Sequence, residues 1–349
     1  MKRRDAGILT SYLIISILAL RHVLASSGSI GLLHDWNIPI YPEQLSLVLD
    51  CGLYSWYQNN LGAYSYNTDA IFKLLLSASS FIATPLLFKL SLVLILFISG
   101  ASMYWLSKEL IGSSDAASAL AGLFYMLSPV LFTRVIVGYY YYLIGYALLP
   151  IILYSFAMGS RRRSLWHLLL CGLLIGISAM QLQFLFVVML MLLMYIIMDL
   201  IIGKGNITKY ILPLLLVLFV FCLIQMPMLF FFLSDILKGG EAIGSVSGST
   251  KYFWLYFFAP SLPQALMLFG KDYEFLFLLY FQNKYLFAPF LLAAVTIPIA
   301  CFASFRLEKA RYYIILAIIA LFFMKGNNPP FGFVYQLLYE HLPLSSIFR

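Results

Sequence analysis

Charged residues are scarce in this sequence. Only 10% of its 349 residues are Asp, Glu, Lys or Arg, whereas 63% are hydrophobic and the mean hydropathy is +0.94. A soluble domain is about half apolar and about a quarter charged. A soluble chain this apolar would lack the polar side chains needed to cover its surface. The composition therefore excludes a soluble globular protein and predicts an all-α polytopic membrane protein.

Cysteine is also scarce, and its pattern excludes two further classes. The four cysteines form no C-x-x-C pair and show no zinc-ligand spacing, which excludes a disulfide framework and a structural zinc site. The sequence has no internal repeat and no composition shift that marks a soluble domain. We therefore predict a single transmembrane domain over residues 1–349.

Basic residues exceed acidic ones by 22 to 14, for a net charge of +8. They form short clusters between apolar runs, which is typical of the cytoplasmic loops of membrane proteins. The positive charge therefore indicates contact with membrane lipid, and we predict no nucleic-acid partner.

Nine apolar runs approach the length of about 20 residues that a membrane-spanning helix needs. The third, fifth and ninth are short. The predicted spans are Gly7–Ala25, Thr84–Leu106, Ala116–Leu131, Tyr142–Met158, Leu165–Ala179, Phe184–Ile202, Tyr210–Leu233, Tyr285–Ser304 and Tyr312–Met324.

The distribution of basic residues predicts how these spans are oriented. Twelve of the 22 lie at the N-terminus or in the short loops that would share its side of the membrane. The positive-inside rule then predicts an N-in, C-out multi-pass protein of the cell membrane. Its long polar segments, residues 26–83, 234–284 and 325–349, would all lie outside.

This topology concentrates polar residues on one face. Leu45–Leu53 and Ala70–Ile82 are too short to span and mix apolar with polar residues, which predicts interfacial amphipathic helices in the outer loops. The centres of the spans carry almost no charge, which argues against an ion-coupled transporter. Long polar segments on the outer face favour an enzyme that works at that membrane surface.

Two acids of the first outer segment are candidates for a catalytic base, because a carboxylate can accept a proton from an acceptor hydroxyl. Asp35 follows the first span closely, beside His34, which fits either a residue of the membrane interface or the acceptor side of a substrate site. Asp69 precedes a short helix predicted to begin near Ala70, so it also fits an N-cap. The alternative for Asp35 is a solvated loop acid.

Two basic residues are candidates for binding a phosphate at the outer membrane surface. Arg134 is the one charged residue between Asp115 and Arg161, and Lys325 directly follows the last span. A phosphate contact explains Arg134, and so does a side chain that reaches a lipid headgroup. Gln181 and Gln183, at a predicted outer turn, fit either sugar binding or helix capping.

Three stretches carry a resemblance to a known superfamily. They are G-L-L-H-D-W-N-I-P after the first span, S-P-V-L-F-T-R-V-I-V-G-Y-Y-Y-Y-L-I-G-Y-A-L-L-P at 128–150, and K-G-N-N-P-P-F-G-F-V-Y with L-P-L-S-S-I-F-R at the end. Their order resembles the GT-C superfamily of polyprenyl-phosphate-sugar-dependent glycosyltransferases, in particular the arabinofuranosyltransferase-like branch.

The resemblance implies a GT-C-like fold and a sugar transferred from a polyprenyl-phosphate lipid to a glycan or glycolipid acceptor, with Asp35 as the base. Similar proteins continue beyond a final F-R element, whereas this sequence stops at Phe348-Arg349. This predicts a fragment, a minimal module, or half of a split protein whose C-terminal region a second chain completes.

The first outer segment has no D-x-D motif, so we predict no metal cofactor. Two other functions remain open from the sequence. One is a lipid or polysaccharide flippase or transporter, and the other is a non-catalytic membrane subunit of a cell-envelope glycan complex.

Overall fold

The structure, a computed structural model, is almost entirely helical in the parts it describes. It describes residues 3–27, 56–57, 63–64, 84–202, 206–226, 228–230, 233, 259–267 and 284–341. The first half contains α1 Arg3–Ala19, α2 Arg21–Ala25, the antiparallel strands β1 Trp56–Tyr57 and β2 Ala63–Tyr64, α3 Thr84–Trp105, a π-helical turn Leu106–Ile111, α4 Asp115–Met126, α5 Pro129–Val137 and α6 Tyr140–Arg162. The second half contains α7 Leu165–Ser178, α8 Leu182–Ile202, α9 Thr208–Ile224, α10 Leu262–Leu266, α11 Lys284–Ser304, α12 Glu308–Lys325 and α13 Gly332–His341.

Four helical stretches are long and apolar enough to cross a membrane, which agrees with a helical membrane protein. These stretches are Pro85–Ile111, Asp115–Val135, Tyr140–Arg162 and Gln183–Ile201. Each of the nine predicted spans overlaps a helix of the structure. Their number and orientation as membrane spans stay predictions, and the predicted amphipathic helices 45–53 and 70–82 lie outside the described residues.

The helices depart from the predicted spans at two breaks. The first span is divided at Leu20 into α1 and α2. The third is interrupted after Met126, and α5 begins at Pro129. Proline suits the first position of a helix because its missing N–H would have no partner there, so Pro129 explains why a new helix starts at this point.

The chain divides into two compact units. Unit 1 comprises residues 1–127, 134–192 and 206–236, and unit 2 comprises residues 128–133, 193–205 and 237–349. In unit 1, α3 packs against α1, α4 and α6, while α7 packs against α6 and α9. In unit 2, α10, α11 and α12 pack against one another. The prediction of one transmembrane domain stays a prediction.

Hydrogen bonds from tyrosine hydroxyls join neighbouring helices of unit 1. The Tyr12 hydroxyl of α1 donates a 2.8 Å hydrogen bond to the Ala119 carbonyl of α4. Tyr125 of α4 and Tyr146 of α6 stack at 4.3 Å, and each hydroxyl donates to the other residue's carbonyl. These bonds give buried polar groups the partners that an apolar bundle requires.

A charge network closes one end of unit 1. The buried Asp5, only 3% exposed, accepts hydrogen bonds from the Tyr104 hydroxyl at 2.7 Å and from the Lys108 ammonium. Lys108 also donates to Tyr104 at 3.0 Å and forms a 2.8 Å ion pair with Asp115. All three N–H groups of Lys108 therefore have acceptors, and α1, α3 and α4 are tied together at this end, which we call the Asp5 end.

The first prediction concerns Lys108. Replacing it with Met leaves Asp5 buried without a cation, so we expect the Tm in detergent to fall by about 5 °C or more, because an uncompensated buried charge is strongly destabilising. Lys108→Arg should retain most of the stability. Asp5→Asn combined with Lys108→Met should recover part of the loss, and equal Tm values for wild type and Lys108→Met would contradict the network.

The second prediction compares two helical glycines. A Cβ at Gly122 would lie 2.3 Å from the Tyr12 hydroxyl oxygen and 2.6 Å from the Gly100 carbonyl oxygen, whereas a Cβ at Gly7 meets nothing within 4 Å. Gly122→Ala should therefore lower the Tm, because it forces α1, α3 and α4 apart. Gly7→Ala should leave it unchanged or raise it slightly, since alanine favours helix. Thermal unfolding of both variants in the same detergent measures the difference, and a matching response would argue against the close packing.

Candidate functional site

The candidate site lies at the end of unit 1 where α3 begins, whereas the Asp5 end lies where α3 finishes. Here α2 ends, α3, α6 and α8 begin, and ring contacts join them: Phe88 meets Tyr140 at 5.5 Å, and Tyr142 meets Phe184 at 4.8 Å, both edge to face. We call this region the Ser26 end, meaning residues 20–27, 84–91, 134–142 and 180–184.

A glycine turn shapes this region around Arg134. Gly138 follows the last residue of α5 with φ 89°, in the left-handed region that glycine adopts without strain. The amides of Gly138 and Tyr139 both donate to the Arg134 carbonyl, at 3.0 and 3.1 Å. A left-handed glycine with these hydrogen bonds is a common way for a helix to end. Tyr139 therefore lies next to Arg134, and α6 begins immediately afterwards.

The half-buried Arg134 guanidinium contacts two tyrosine rings. Its central carbon is 5.0 Å from the centre of the Tyr139 ring and 4.9 Å from that of Tyr142. A cation near an aromatic face gains about 0.5–1 kcal/mol when exposed and more when desolvated. The rings thus hold a permanent positive charge in place, and guanidinium is the side-chain group best suited to paired hydrogen bonds with phosphate.

The two candidate glutamines belong to the same region. The Gln181 side-chain amide donates a 2.8 Å hydrogen bond to the Gln183 side-chain oxygen, and the Phe184 amide donates to the Gln181 carbonyl. Phe184 packs on Tyr142, which in turn contacts Arg134. Phe184 and Tyr142 therefore connect the Gln181–Gln183 pair to Arg134 by ring contacts, and the binding roles of these residues stay predictions.

Lys325, the other predicted phosphate ligand, lies in unit 2 and has a structural partner. It ends α12, is 3% exposed, and donates a 2.7 Å hydrogen bond to the Asn328 carbonyl. The Asn328 side chain donates to the carbonyls of Ala259 and Pro260, at 2.8 and 3.0 Å. Lys325 therefore helps to fix the loop after α12, and burial lowers the pKa of its ammonium below the ordinary value.

Asp35, Asp69 and His34 lie outside the described residues, so their predicted roles stay predictions. No group of three or more His, Cys, Asp or Glu side chains suited to a metal ion occurs within the ranges that the structure describes.

The sequence reasoning missed one residue of the Ser26 end. Lys89, in the second turn of α3, is buried and donates to the backbone and side-chain oxygens of Ser26. The sequence does contain a signal for it, because a lysine within a predicted membrane span indicates a functional residue. Lys89 lies within the predicted span Thr84–Leu106, but no role was predicted for it there.

The third prediction follows from the buried ammonium of Lys325. Its folded-state pKa is lowered, so between that value and the unfolded value of about 10.4 the unfolded chain binds more protons than the folded one. The stability of the wild type should therefore rise with pH across this window, relative to Lys325→Met. Measuring Tm for both proteins from pH 7 to pH 10.5 tests this, and parallel curves would show that burial does not shift this pKa.

No family model matches the chain, and no curated protein or solved structure matches it either.

Proposed function

We propose that the chain is a multi-pass membrane glycosyltransferase that moves a sugar from a lipid-linked phospho-sugar to an acceptor at the outer membrane face. The observation that carries this proposal is Arg134, a half-buried guanidinium that contacts the rings of both Tyr139 and Tyr142 at the Ser26 end. In the N-in, C-out topology with nine spans, this end faces outside. A lipid-linked phosphate would lie at the same level as Arg134.

The chemistry assigns one task to each group. Asp35 removes the proton from the acceptor hydroxyl, whose oxygen attacks the anomeric carbon of the sugar from the side opposite the phosphate. The bond between this carbon and the phosphate oxygen breaks, and the phosphate leaves with the electron pair. Arg134 stabilises the charge that develops on the leaving group, because a guanidinium can form paired hydrogen bonds with phosphate oxygens. The sugar configuration is thereby inverted.

The neighbouring polar groups suit substrate binding. Gln181 and Gln183 offer amide donors and acceptors to sugar hydroxyls, and His34 and Asp69 belong to the outer segment that would meet the acceptor. Lys325 supports the proposal less directly, because its ammonium already binds the Asn328 carbonyl. The GT-C resemblance of Ser128–Pro150 covers both Arg134 and its two tyrosines.

The fourth prediction tests this function directly. The purified chain in nanodiscs should transfer sugar from a radiolabelled polyprenyl-phosphate donor to an added glycan or glycolipid acceptor. Asp35→Asn should reduce kcat by about 100-fold to 10,000-fold, the range that a general base contributes. Arg134→Lys should reduce kcat/KM by about tenfold or more, because lysine keeps the charge but loses the paired phosphate contact.

Three controls separate the alternatives. Lys209→Met, at the start of α9 and far along the chain from these residues, should leave transfer unchanged. Transfer at the wild-type rate in Asp35→Asn would exclude Asp35 as the base. Movement of the donor lipid across the bilayer without transfer would favour a flippase, and transfer only after a second chain is added would favour a subunit of a larger complex.

A further inference from the structure

Lys89 is the least expected charged residue in unit 1. It belongs to the second turn of α3, a helix of 22 residues that is otherwise free of charge, and it is only 5% exposed. Its ammonium donates to the carbonyl oxygen of Ser26 and, at 3.1 Å, to the hydroxyl oxygen of the same residue. Within the described ranges these two neutral oxygens are its hydrogen-bond acceptors.

A buried ammonium with neutral partners lowers the stability of the folded protein. Removing a lysine from water costs several kcal/mol unless an anion compensates, and a neutral side chain of similar size avoids this cost. Ser26 is itself exposed, so water can replace Lys89 at its carbonyl. Stability therefore does not explain the charge. A charged donor does, however, form hydrogen bonds about twice as strong as a neutral donor.

Ser26 is the point where the chain leaves α2 for the first long polar segment. Its amide donates to the His22 carbonyl at 3.2 Å, and its hydroxyl donates to the Val23 carbonyl at 2.8 Å. With the two bonds from Lys89, every polar atom of Ser26 has a partner. Ser26 follows the five-residue helix α2 and is exposed, yet its amide, hydroxyl and carbonyl all form hydrogen bonds.

The same turn of α3 connects this anchor to the candidate site. Phe88, the neighbour of Lys89, packs edge to face on Tyr140, which lies between the two tyrosines that hold Arg134. The start of α3 therefore contacts Ser26, where the first polar segment begins, and Tyr140, which follows the turn that places Tyr139 against Arg134. Asp35 follows Ser26 by nine residues in the sequence.

We propose that Lys89 is a positioning residue: its ammonium clamps Ser26 to α3 and so fixes the root of the segment that carries Asp35 relative to Arg134. This inference rests on the proposed glycosyltransferase function. Lys89 acts through Ser26 and touches no substrate. If Lys89 has this role, removing its charge loosens Ser26 without unfolding the helices of unit 1.

The fifth prediction compares Lys89→Met and Lys89→Arg with the wild type in nanodiscs. Hydrogen exchange of peptides covering residues 20–27 should be about tenfold faster in Lys89→Met, because the root of the segment opens more often. The Tm should stay equal or rise, since a buried charge is removed. Lys89→Arg keeps two donors and a charge, and should restore slow exchange. Lys209→Met, an exposed lysine at the start of α9, should change neither quantity.

Sugar transfer supplies the second readout. In Lys89→Met, kcat should fall about tenfold to 100-fold, as expected for a misplaced catalytic group, while the donor KM stays within about twofold. Unchanged exchange over residues 20–27 would overturn the clamp, and so would a Tm that falls in step with faster exchange. A raised donor KM with unchanged kcat would overturn the positioning role and identify Lys89 as a donor contact.

These readouts keep the two proposals apart. If the wild type transfers no sugar, the proposed function fails, and the exchange and Tm measurements still decide whether Lys89 clamps Ser26. If transfer occurs and Lys89→Met matches the wild type in both exchange and kcat, the glycosyltransferase proposal stands and the positioning role is excluded.

Discussion

A charged group buried in the apolar interior of unit 1 needs a partner there, and this requirement is met at both ends of α3. Lys89 near the start of α3 and Lys108 in the π-helical turn after it lie 19 residues apart in the sequence. At the rise of about 1.5 Å per residue of an α-helix, this separation is about 28 Å, close to the thickness of a bilayer's hydrocarbon core. Lys108 binds Asp5, Tyr104 and Asp115 at one end, and Lys89 binds Ser26 at the other.

The charged groups have different kinds of partners at the two ends. At the Asp5 end, opposite charges compensate one another and three helices are joined. At the Ser26 end, the cations Lys89 and Arg134 meet neutral oxygens and aromatic rings in the contacts that define the region. An end with compensated charge suits a structural role. At the Ser26 end, a guanidinium can form paired hydrogen bonds with a phosphate, which is why the proposed function places the anionic donor there.

Local rules account for much of the candidate site. The predicted spans leave residues 132–141 between them, and the structure ends α5 before Gly138, since glycine readily adopts the left-handed conformation that ends helices. Arg134 is unusual because no other charge lies near it in the sequence. Neither rule predicts that the rings of Tyr139 and Tyr142 both contact it, because that depends on the direction in which α6 leaves the turn. Gln181 and Gln183 likewise join the site only through Phe184.

Apolar length and the clustering of basic residues determined, from the sequence alone, that this is a helical membrane protein and where most of its helices lie. These properties depend on the hydrophobic effect acting on local segments, so they can be read one segment at a time. Only the tertiary structure decided that Asp5 pairs with Lys108 and that Lys89 reaches Ser26. These partners are 103 and 63 residues apart along the chain. Which helices become neighbours is set by the packing of whole helices, and no local pattern in the sequence specifies it.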